Sequence, residues 1–328
     1  MTQETRTMQS SVDLKRLLGR VGNSLELRML GLALAIAVVL SIMSPYFLTA
    51  NNLMNVLDQS VVIGIVAIGM TFVILTGGID LSVGSVAGLT GVILGLALQD
   101  FSIPVAIAMA IAAGGLIGLF SGVLIGYFGL AAFVVTLGVM AIGRSLAYIF
   151  SGQTSISSIP MELSDLVYTT VLGIPTNVLC LGLLYLLAGL YLSYTKGGRT
   201  IYAVGSNKEA ARAAGLSVLF YSILPYVISG MFAAVAVTFL TAQILSVDPL
   251  TGNLLELDAI AAVVIGGASL YGGRGSIAGT LIGVVIMVMI RNGLNLLGVS
   301  PFWQGSAIGA IIIFALLIES LLSRRSRA

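Results

Sequence analysis

Four polar side chains at or near the ends of apolar segments are the groups in this sequence best suited to contact a polar ligand. Asp80 follows a glycine pair, Asp258 precedes an apolar run, and Asn292 and Asn295 stand three residues apart in a further apolar segment. Side chains three apart share one face of a helix, so the two amides can offer hydrogen bonds to a passing hydroxyl. They can equally well pack against a neighbouring helix through those amides.

The surroundings of Asp80 indicate the start of a helix. Gly77 and Gly78 permit backbone angles that end one helix. Asp80 or Ser82 can then cap the next, because an acidic group is stabilised near a helix N-terminus. We favour capping as the role of Asp80. Direct contact with a ligand is the alternative, since a carboxylate near a membrane is functional where it faces a cavity.

A later block begins with Asp258 and ends in a second glycine pair, Gly266 and Gly267. We expect Asp258 to cap a helix at its outer end. Arg144 and Arg291 lie toward the outer ends of their apolar segments, where a long cationic side chain can reach the membrane surface. We therefore expect both arginines at that surface rather than in a pore.

The two glycine blocks belong to a weak internal repeat. SPYFLTANNL (44–53) resembles SVDPLTGNLL (246–255), and GGIDLSVGSVAG (77–88) resembles GGASLYGGRGSIAG (266–279) once a two-residue insertion is allowed. Both matches occur in the same order and six spans apart, which predicts a parallel repeat. Internal repeats are common in transporters, where the transport path lies between them. Chance similarity among Gly, Ala, Leu and Ser is the alternative.

The composition indicates that membrane-spanning helices position these residues. The chain is 58% hydrophobic and 9% charged, whereas a soluble domain carries roughly 25% charged residues. Its 40 glycines suit closely packed transmembrane helices, because small residues let the backbones approach.

We predict an all-α polytopic membrane protein with about ten transmembrane helices. The expected spans are 28–44, 60–76, 82–98, 103–126, 131–150, 177–195, 222–242, 258–271, 276–297 and 304–322, the eighth being short and partly re-entrant. Lys and Arg are enriched in cytoplasmic loops, and ten spans place the basic N-terminal segment, loop 196–212 and C-terminal tail on one side. We therefore expect both termini in the cytoplasm. The predicted units are a cytoplasmic segment 1–27, one transmembrane domain 28–322 with a cytoplasmic loop 196–221, and a cytoplasmic tail 323–328.

Several features argue against an enzyme. The sequence has no histidine, the commonest proton-transfer residue, and its one cysteine, Cys180, lies in an apolar run. A lone cysteine forms neither an intrachain disulfide nor a metal cluster. No G-x-x-x-x-G-K-[ST] phosphate loop occurs. We therefore expect no directly bound cofactor and no metal, and the net charge of +2 gives no reason to expect a nucleic-acid partner.

The longest polar interruption, KGGRTIYAVGSNKEAARAAGLSVLFYSILP (196–225), contains a short predicted helix. Ser206 is a candidate N-cap with Glu209 three residues later, the spacing of a capping box. Gly215 can take the left-handed conformation that closes a helix. Two turns are too short to be stable alone in water, so the helix must dock on another surface. A capped loop helix that only anchors two spans is the alternative.

Residues 209–215, EAARAAG, resemble the EAA---G pattern of the cytoplasmic coupling helix of ATP-binding cassette (ABC) importer permeases. The match is imperfect, since Ile223, Leu224 and Pro225 stand closer than in the usual continuation. In that family the helix fits a cleft on the ATPase and passes its movement into the membrane. The resemblance implies an ATPase-coupling role for Ser206, Glu209, Ala210, Ala211, Arg212 and Gly215.

Four ordered blocks resemble more specifically the ribose/xylose/arabinose-type sugar permease family of ABC importers. They are TGGIDLSVGS (76–85), GRTIYAVGSNKEAARAAG (198–215), LDAIAAVVIGGASLYGGRGSIAGTLIG (257–283) and RNGLNLLGVSPF (291–302). The resemblance implies a ten-span permease in the bacterial cytoplasmic (inner) membrane, working as a homodimer or heterodimer over a pair of cytoplasmic ABC ATPase domains. A periplasmic sugar-binding protein would deliver the sugar, and ATP would act only through the partner ATPase.

In this family setting, several residues are candidates for the translocation path or for structural turns. They are Gly77, Gly78, Asp80, Ser82, Asp258, Gly266, Gly267, Asn292 and Asn295. The alternative function is a stand-alone secondary transporter or facilitator of a small polar solute, which a parallel repeat would suit. It is disfavoured because the carboxylates sit at span ends, where no ion-coupling site is evident.

Overall fold

The computed structural model describes residues 25–300 and, after them, positions 303, 305, 306, 309, 310, 313 and 317. Within that part of the chain, eight helices are long and apolar enough to cross a membrane. The predicted multi-span helical class is therefore confirmed. Residues 1–24 of the expected N-terminal segment, most of the predicted span 304–322 and the tail 323–328 lie outside the described residues.

Helices form most of the described chain. In order they are α1 (Leu25–Met43), α2 (Ala50–Leu75), α3 (Val83–Asp100), α4 (Ile103–Gly126), α5 (Ala132–Phe150), α6 (Asp165–Tyr168), α7 (Thr176–Tyr194), α8 (Lys196–Ser206), α9 (Lys208–Ala213), α10 (Val218–Ile244), α11 (Leu255–Ile265) and α12 (Ile277–Leu296).

The segment between α5 and α7 is built from short elements. A 3-10 turn covers Met161–Ser164 and leads into the single turn α6. Strands β1 (Thr170–Val171) and β2 (Ile174–Pro175) follow and pair antiparallel, with Thr170 opposite Pro175. Leu172 and Gly173 between them both have positive φ, 55° and 80°, as a tight two-residue hairpin turn requires.

The largest boundary error lies at the start of α2, which begins at Ala50 rather than at the predicted residue 60. Its first three turns carry the polar residues Asn51, Asn52 and Asp58, which lower the local hydropathy. Thr49 caps this extension by accepting a hydrogen bond from the Asn52 N–H at 3.4 Å. The hydropathy signal therefore marks only the apolar part of a longer helix.

Helix α11 is too short to span a bilayer. Its 11 residues reach only about 16 Å at 1.5 Å per residue, whereas the hydrocarbon core is about 30 Å thick. The non-helical stretch 245–254 precedes it and packs along the glycine face of α3. A Cβ at Gly88 would lie 2.8 Å from the Thr251 carbonyl oxygen, and one at Gly91 would lie 3.2 Å from Val247 Cγ1. The prediction that the eighth span is short agrees with this arrangement.

Helices α4 and α10 pack closely through a row of glycines. Gly114, Gly118, Gly122 and Gly126 recur every four residues on α4 and all face α10. A Cβ at Gly118 would overlap the Tyr226 carbonyl oxygen. Such small-residue spacing allows transmembrane helices to approach backbone to backbone. This packing places α10 at the centre of the molecule, where it also contacts α2 and α3.

The predicted repeat has a structural counterpart in two helix ends. After α2, the Gly78 N–H donates to the Val73 carbonyl oxygen at 3.1 Å and Gly77 has φ +76°. After α11, the Ala268 N–H donates to the Val263 carbonyl oxygen at 3.1 Å and Gly267 has φ +89°. Both ends are Schellman motifs with glycine in the left-handed position.

These motifs make Gly77 equivalent to Gly267. The sequence comparison aligned Gly77 with Gly266, so the structural equivalence is shifted by one residue. The loop that follows α11 touches the end of α2, since the Gly273 N–H donates to the Leu75 carbonyl oxygen at 2.9 Å. The parallel relation of the two halves stays a prediction.

Candidate functional site

The polar loop 196–225 contains two helices where the sequence predicted one. Helix α8 is capped by Thr195, whose hydroxyl oxygen accepts from the Gly198 N–H at 3.0 Å. Its amphipathic pattern buries Ile201 and Val204, while two early glycines mask its helical propensity. A single residue, Asn207, separates α8 from α9.

The predicted N-cap of the second helix is wrong by one residue. Asn207 caps α9, with extended angles of φ −161° and ψ 106° and a side-chain oxygen that accepts from the Ala210 N–H at 2.9 Å. Ser206 is the last residue of α8, and its hydroxyl donates back to the Tyr202 carbonyl oxygen at 2.8 Å. Glu209 therefore stands one position too early for a capping box.

The predicted end of α9 is confirmed. Gly215 has φ +76°, its N–H donates to the Arg212 carbonyl oxygen at 3.0 Å, and the Leu216 N–H donates to the Ala211 carbonyl oxygen at 3.1 Å. This Schellman motif brings Leu216 onto a small apolar cluster, whose buried members are Val204, Ala211 and Val218. The cluster fixes α9 against α8 and the start of α10.

The opposite face of α9 points away from the molecule. Glu209, Ala210, Arg212 and Gly215 are exposed, while Ala211 is buried. Beside them lies a surface cavity of about 430 Å³. Its lining consists of Gly126, Arg212, Leu216, Ser217, Val218, Leu219 and Phe220. The exposed surface of α9 therefore carries small residues with one acid, Glu209, and two bases, Lys208 and Arg212, beside a cavity.

Asp80 lies in the turn between α2 and α3, and its carboxylate is fully enclosed. One oxygen accepts from the Ser82 N–H at 3.0 Å and from the Ser82 hydroxyl at 2.6 Å. The other oxygen accepts from the Ser229 hydroxyl on α10 at 2.7 Å. Ser82 holds the N-cap position of α3, without a capping hydrogen bond from its side chain. Asp80 therefore does not occupy the predicted cap position; it bonds Ser82 in the turn before the helix and ties that turn to the central helix.

Asp258 does not cap α11, whose N-cap position is Leu254. Its carboxylate accepts from Arg291 on α12 at 2.6 Å. The Asp258 side chain is 4% exposed and the Arg291 side chain 30%. The expectation that Arg291 extends to the membrane surface is therefore wrong, because its guanidinium turns to the buried Asp258 carboxylate, which would otherwise be left without a counter-charge.

Arg144 also points inward. Its guanidinium donates to the Pro249 and Thr251 carbonyl oxygens at 2.6 Å and 3.2 Å. Buried backbone carbonyl groups need hydrogen-bond partners, and Arg144 supplies them for two residues of the non-helical stretch before α11. A Cβ at Gly84 would overlap the Glu256 carboxylate, so this second acid lies against the first turn of α3.

The two candidate amides on α12 have different surroundings. Asn292 is buried and exchanges two hydrogen bonds of 2.9 Å with Asn52 on α2. This is the helix-packing alternative rather than an open site. Asn295 is exposed at the same end of α12.

Most of the remaining candidates lie in the two turns, and the structure brings these turns together. Gly77 and Gly78 end α2, Gly266 and Gly267 end α11, and the two ends meet at Leu75 and Gly273. The polar partners Ser229, Asn52 and Asn207 were not anticipated from the sequence. Of these, only Asn207 could have been identified from the sequence, since Asn is a strong N-cap residue.

Residues 52–316 match the family model described as "Branched-chain amino acid transport system / permease component". The chain is 40% identical to the ribose import permease protein RbsC of Escherichia coli (strain K12) over 292 residues, 88% of this chain and 91% of that protein.

Other relatives extend the comparison. The ribose import permease protein RbsC of Bacillus subtilis (strain 168) is 36% identical, over 97% of this chain and 98% of that protein. The D-allose transport system permease protein AlsC of Escherichia coli (strain K12) is 35% identical, over 89% of this chain and 90% of that protein. No solved structure gave a significant match. The chain therefore belongs to the family described as "Branched-chain amino acid transport system / permease component".

Proposed function

We propose that the chain is the membrane-spanning permease subunit of an ABC importer for a monosaccharide, a ribose-like sugar. The relatives named as ribose and allose permeases, which match over almost their whole lengths, support the sugar class. The observation that carries the coupling role is the capped helix α9, which presents the EAARAAG segment on an exposed face. The chain is a transporter subunit rather than an enzyme.

The topology follows from the same proposal. Residues 28–322 form one transmembrane domain of about ten helices in the bacterial inner membrane, with both termini in the cytoplasm. The basic residues Lys196, Arg199, Lys208 and Arg212 all lie in the α8–α9 loop, which favours a cytoplasmic location for that loop.

The ATPase is the partner proposed for α9. Glu209, Ala210, Arg212 and Gly215 contact it, while Ala211 and Asn207 hold the helix in place. ATP acts through this separate subunit, since the sequence has no phosphate loop of its own. A periplasmic sugar-binding protein delivers the sugar on the other side.

The translocation path is proposed to run beside α11 and the two turns. Arg291 is 30% exposed on a single chain and pairs with the buried Asp258. A charged group within a membrane helix faces a water-filled path or another protein. A second permease subunit, identical or different, would enclose this face. Asn295 then contacts the sugar directly. The residues of the two turns shape the wall of the path; they are Gly77, Gly78, Asp80, Ser82, Gly266 and Gly267.

Purification of the solubilised chain from its native membranes tests the coupling role. We expect an ATPase to co-purify with the wild type and to be lost in Glu209→Lys, because the substitution reverses a charge on the docking face. Glu162→Lys is the matched control, since Glu162 is an exposed acid outside the α8–α9 loop. A chain that purifies alone and carries solute without ATP would instead be a secondary transporter.

A further inference from the structure

Helix α8 packs where the turn after α2 (residues 76–82) meets the loop after α11 (residues 266–276). A Cβ at Gly205 would overlap the Leu75 carbonyl oxygen at the end of α2, and it would lie 2.8 Å from the Gly273 N atom. The glycine therefore allows the α8 backbone to touch both turns directly. The same Leu75 oxygen accepts from the Gly273 N–H at 2.9 Å, so the three segments share one contact point.

A side chain strengthens this contact one turn earlier in α8. The Tyr202 hydroxyl donates to the Gly275 carbonyl oxygen at 2.9 Å. The Tyr202 phenol is protonated at neutral pH, and burial raises its pKa further. Tyr202 thus holds α8 to the loop between α11 and α12.

Backbone atoms make most of the remaining contact. A Cβ at Gly272 would lie 2.8 Å from the Gly77 N atom, and a Cβ at Gly273 would lie 2.9 Å from Ser206 Cα. Closely packed protein interiors have low compressibility and transmit displacement. A junction in which backbone atoms meet this closely therefore passes on a shift of α8 with little loss.

The junction is connected to the docking face. Only Asn207 separates α8 from α9, and the cluster of Val204, Ala211 and Val218 packs the two helices together. A force applied to α9 thus moves α8 as well.

We propose that Tyr202 and Gly205 are positioning residues that pass the ATPase-driven movement of α9 to the turns after α2 and α11 simultaneously. The proposal rests on the function proposed above. It assigns to α8, rather than to α9 alone, the contact with the membrane helices. The two turns of the repeat then move as one body during a transport cycle.

The test measures sugar uptake per ATP hydrolysed in proteoliposomes that contain the whole importer, with permease, ATPase and binding protein. Tyr202→Phe removes one hydrogen bond and leaves the ring in place, and we expect the ratio to fall about three- to tenfold while the ATPase stays bound. Gly205→Ala must separate the backbones, and we expect a larger loss. The matched controls are Tyr194→Phe, at a residue that is 77% exposed, and Gly182→Ala, where a Cβ meets nothing within 4 Å in the described chain.

An unchanged ratio in Tyr202→Phe would overturn the proposal, whatever happens in Gly205→Ala. Equal losses of ATPase binding, ATP hydrolysis and uptake would also overturn it, because they would show a structural role only. The experiment on the wild-type importer distinguishes failure of this proposal from failure of the proposed function. If the wild type neither binds an ATPase nor requires ATP, the importer function itself is wrong.

Discussion

Asp80 shows how one buried carboxylate can join local and long-range structure. Two of its three hydrogen bonds come from Ser82 and set the turn before α3, and the third comes from Ser229 in the middle of α10. All three hydrogen bonds need only an acceptor atom on residue 80, so their geometry does not require a negative charge there.

We therefore expect Asp80→Asn to keep most transport activity. Its amide oxygen can still accept from Ser82, and its NH₂ group can donate to the Ser229 oxygen. Asp80→Ala should lower the free energy of unfolding by about 3 kcal/mol, because hydrogen bonds to a charged group are lost. Uptake at matched membrane levels and thermal unfolding in detergent measure the two effects. Loss of uptake in a stably folded Asp80→Asn protein would indicate that the charge acts on the solute.

The Asp258–Arg291 pair leads to a second residue-scale prediction. Replacing either partner leaves an uncompensated charge, so Arg291→Met or Asp258→Leu alone should destabilise the protein by about 3–5 kcal/mol. The double variant should be more stable than at least one single variant, because apolar residues of similar size replace the pair. A double-mutant cycle on thermal stability measures this coupling. Additive effects would show that the contact contributes nothing beyond its separate side chains.

At the scale of elements, the caps of α9 decide whether the docking helix is formed before its partner arrives. Asn207→Ala removes the N-cap, which costs about 1 kcal/mol and should weaken ATPase binding about fivefold. Ser206→Ala is the control, since that hydroxyl bonds within α8. Titration of the purified ATPase onto the solubilised permease gives both affinities. If Ser206→Ala has the larger effect, the assignment of the cap is wrong.

The α4–α10 crossing gives a prediction about packing. Gly118→Ala should lower stability by about 1–3 kcal/mol, because its Cβ would overlap backbone of α10. Gly115→Ala should be tolerated, since its nearest neighbour is Met231 Cγ at 3.2 Å, part of a flexible side chain. Thermal unfolding of both variants in the same detergent compares them. Equal midpoints would contradict the close approach of the two helices.

Hydropathy predicted the membrane helices well and the loop poorly. The predicted span 103–126 coincides with α4, Ile103–Gly126, because its whole length is apolar. Helix α8 was not predicted, since KGGRTIYAVGS has weak helical propensity and is stabilised by the Thr195 cap and by packing. The hydrogen bonds of Asp80 to Ser229 and of Asn52 to Asn292 connect residues 149 and 240 positions apart. Such pairs depend on the topology, which a single sequence does not reveal.

At the scale of the whole molecule, one mechanical scheme accounts for these features. The docking helix α9 is capped at both ends and packed against α8. Helix α8 lies where the turn after α2 meets the loop after α11, and α2 packs along the central helix α10. Movement of a partner at the loop can thus reach the centre of the membrane domain through backbone contacts.

Uptake of labelled ribose into proteoliposomes that contain the purified permease, its ATPase and its binding protein would test whether the chain works as a coupled importer subunit. We expect uptake only when ATP and the binding protein are both supplied, and loss of uptake in Glu209→Lys and Gly215→Asp at unchanged permease content. Ribose uptake by the permease alone, without ATP and unaffected by either substitution, would contradict the importer function.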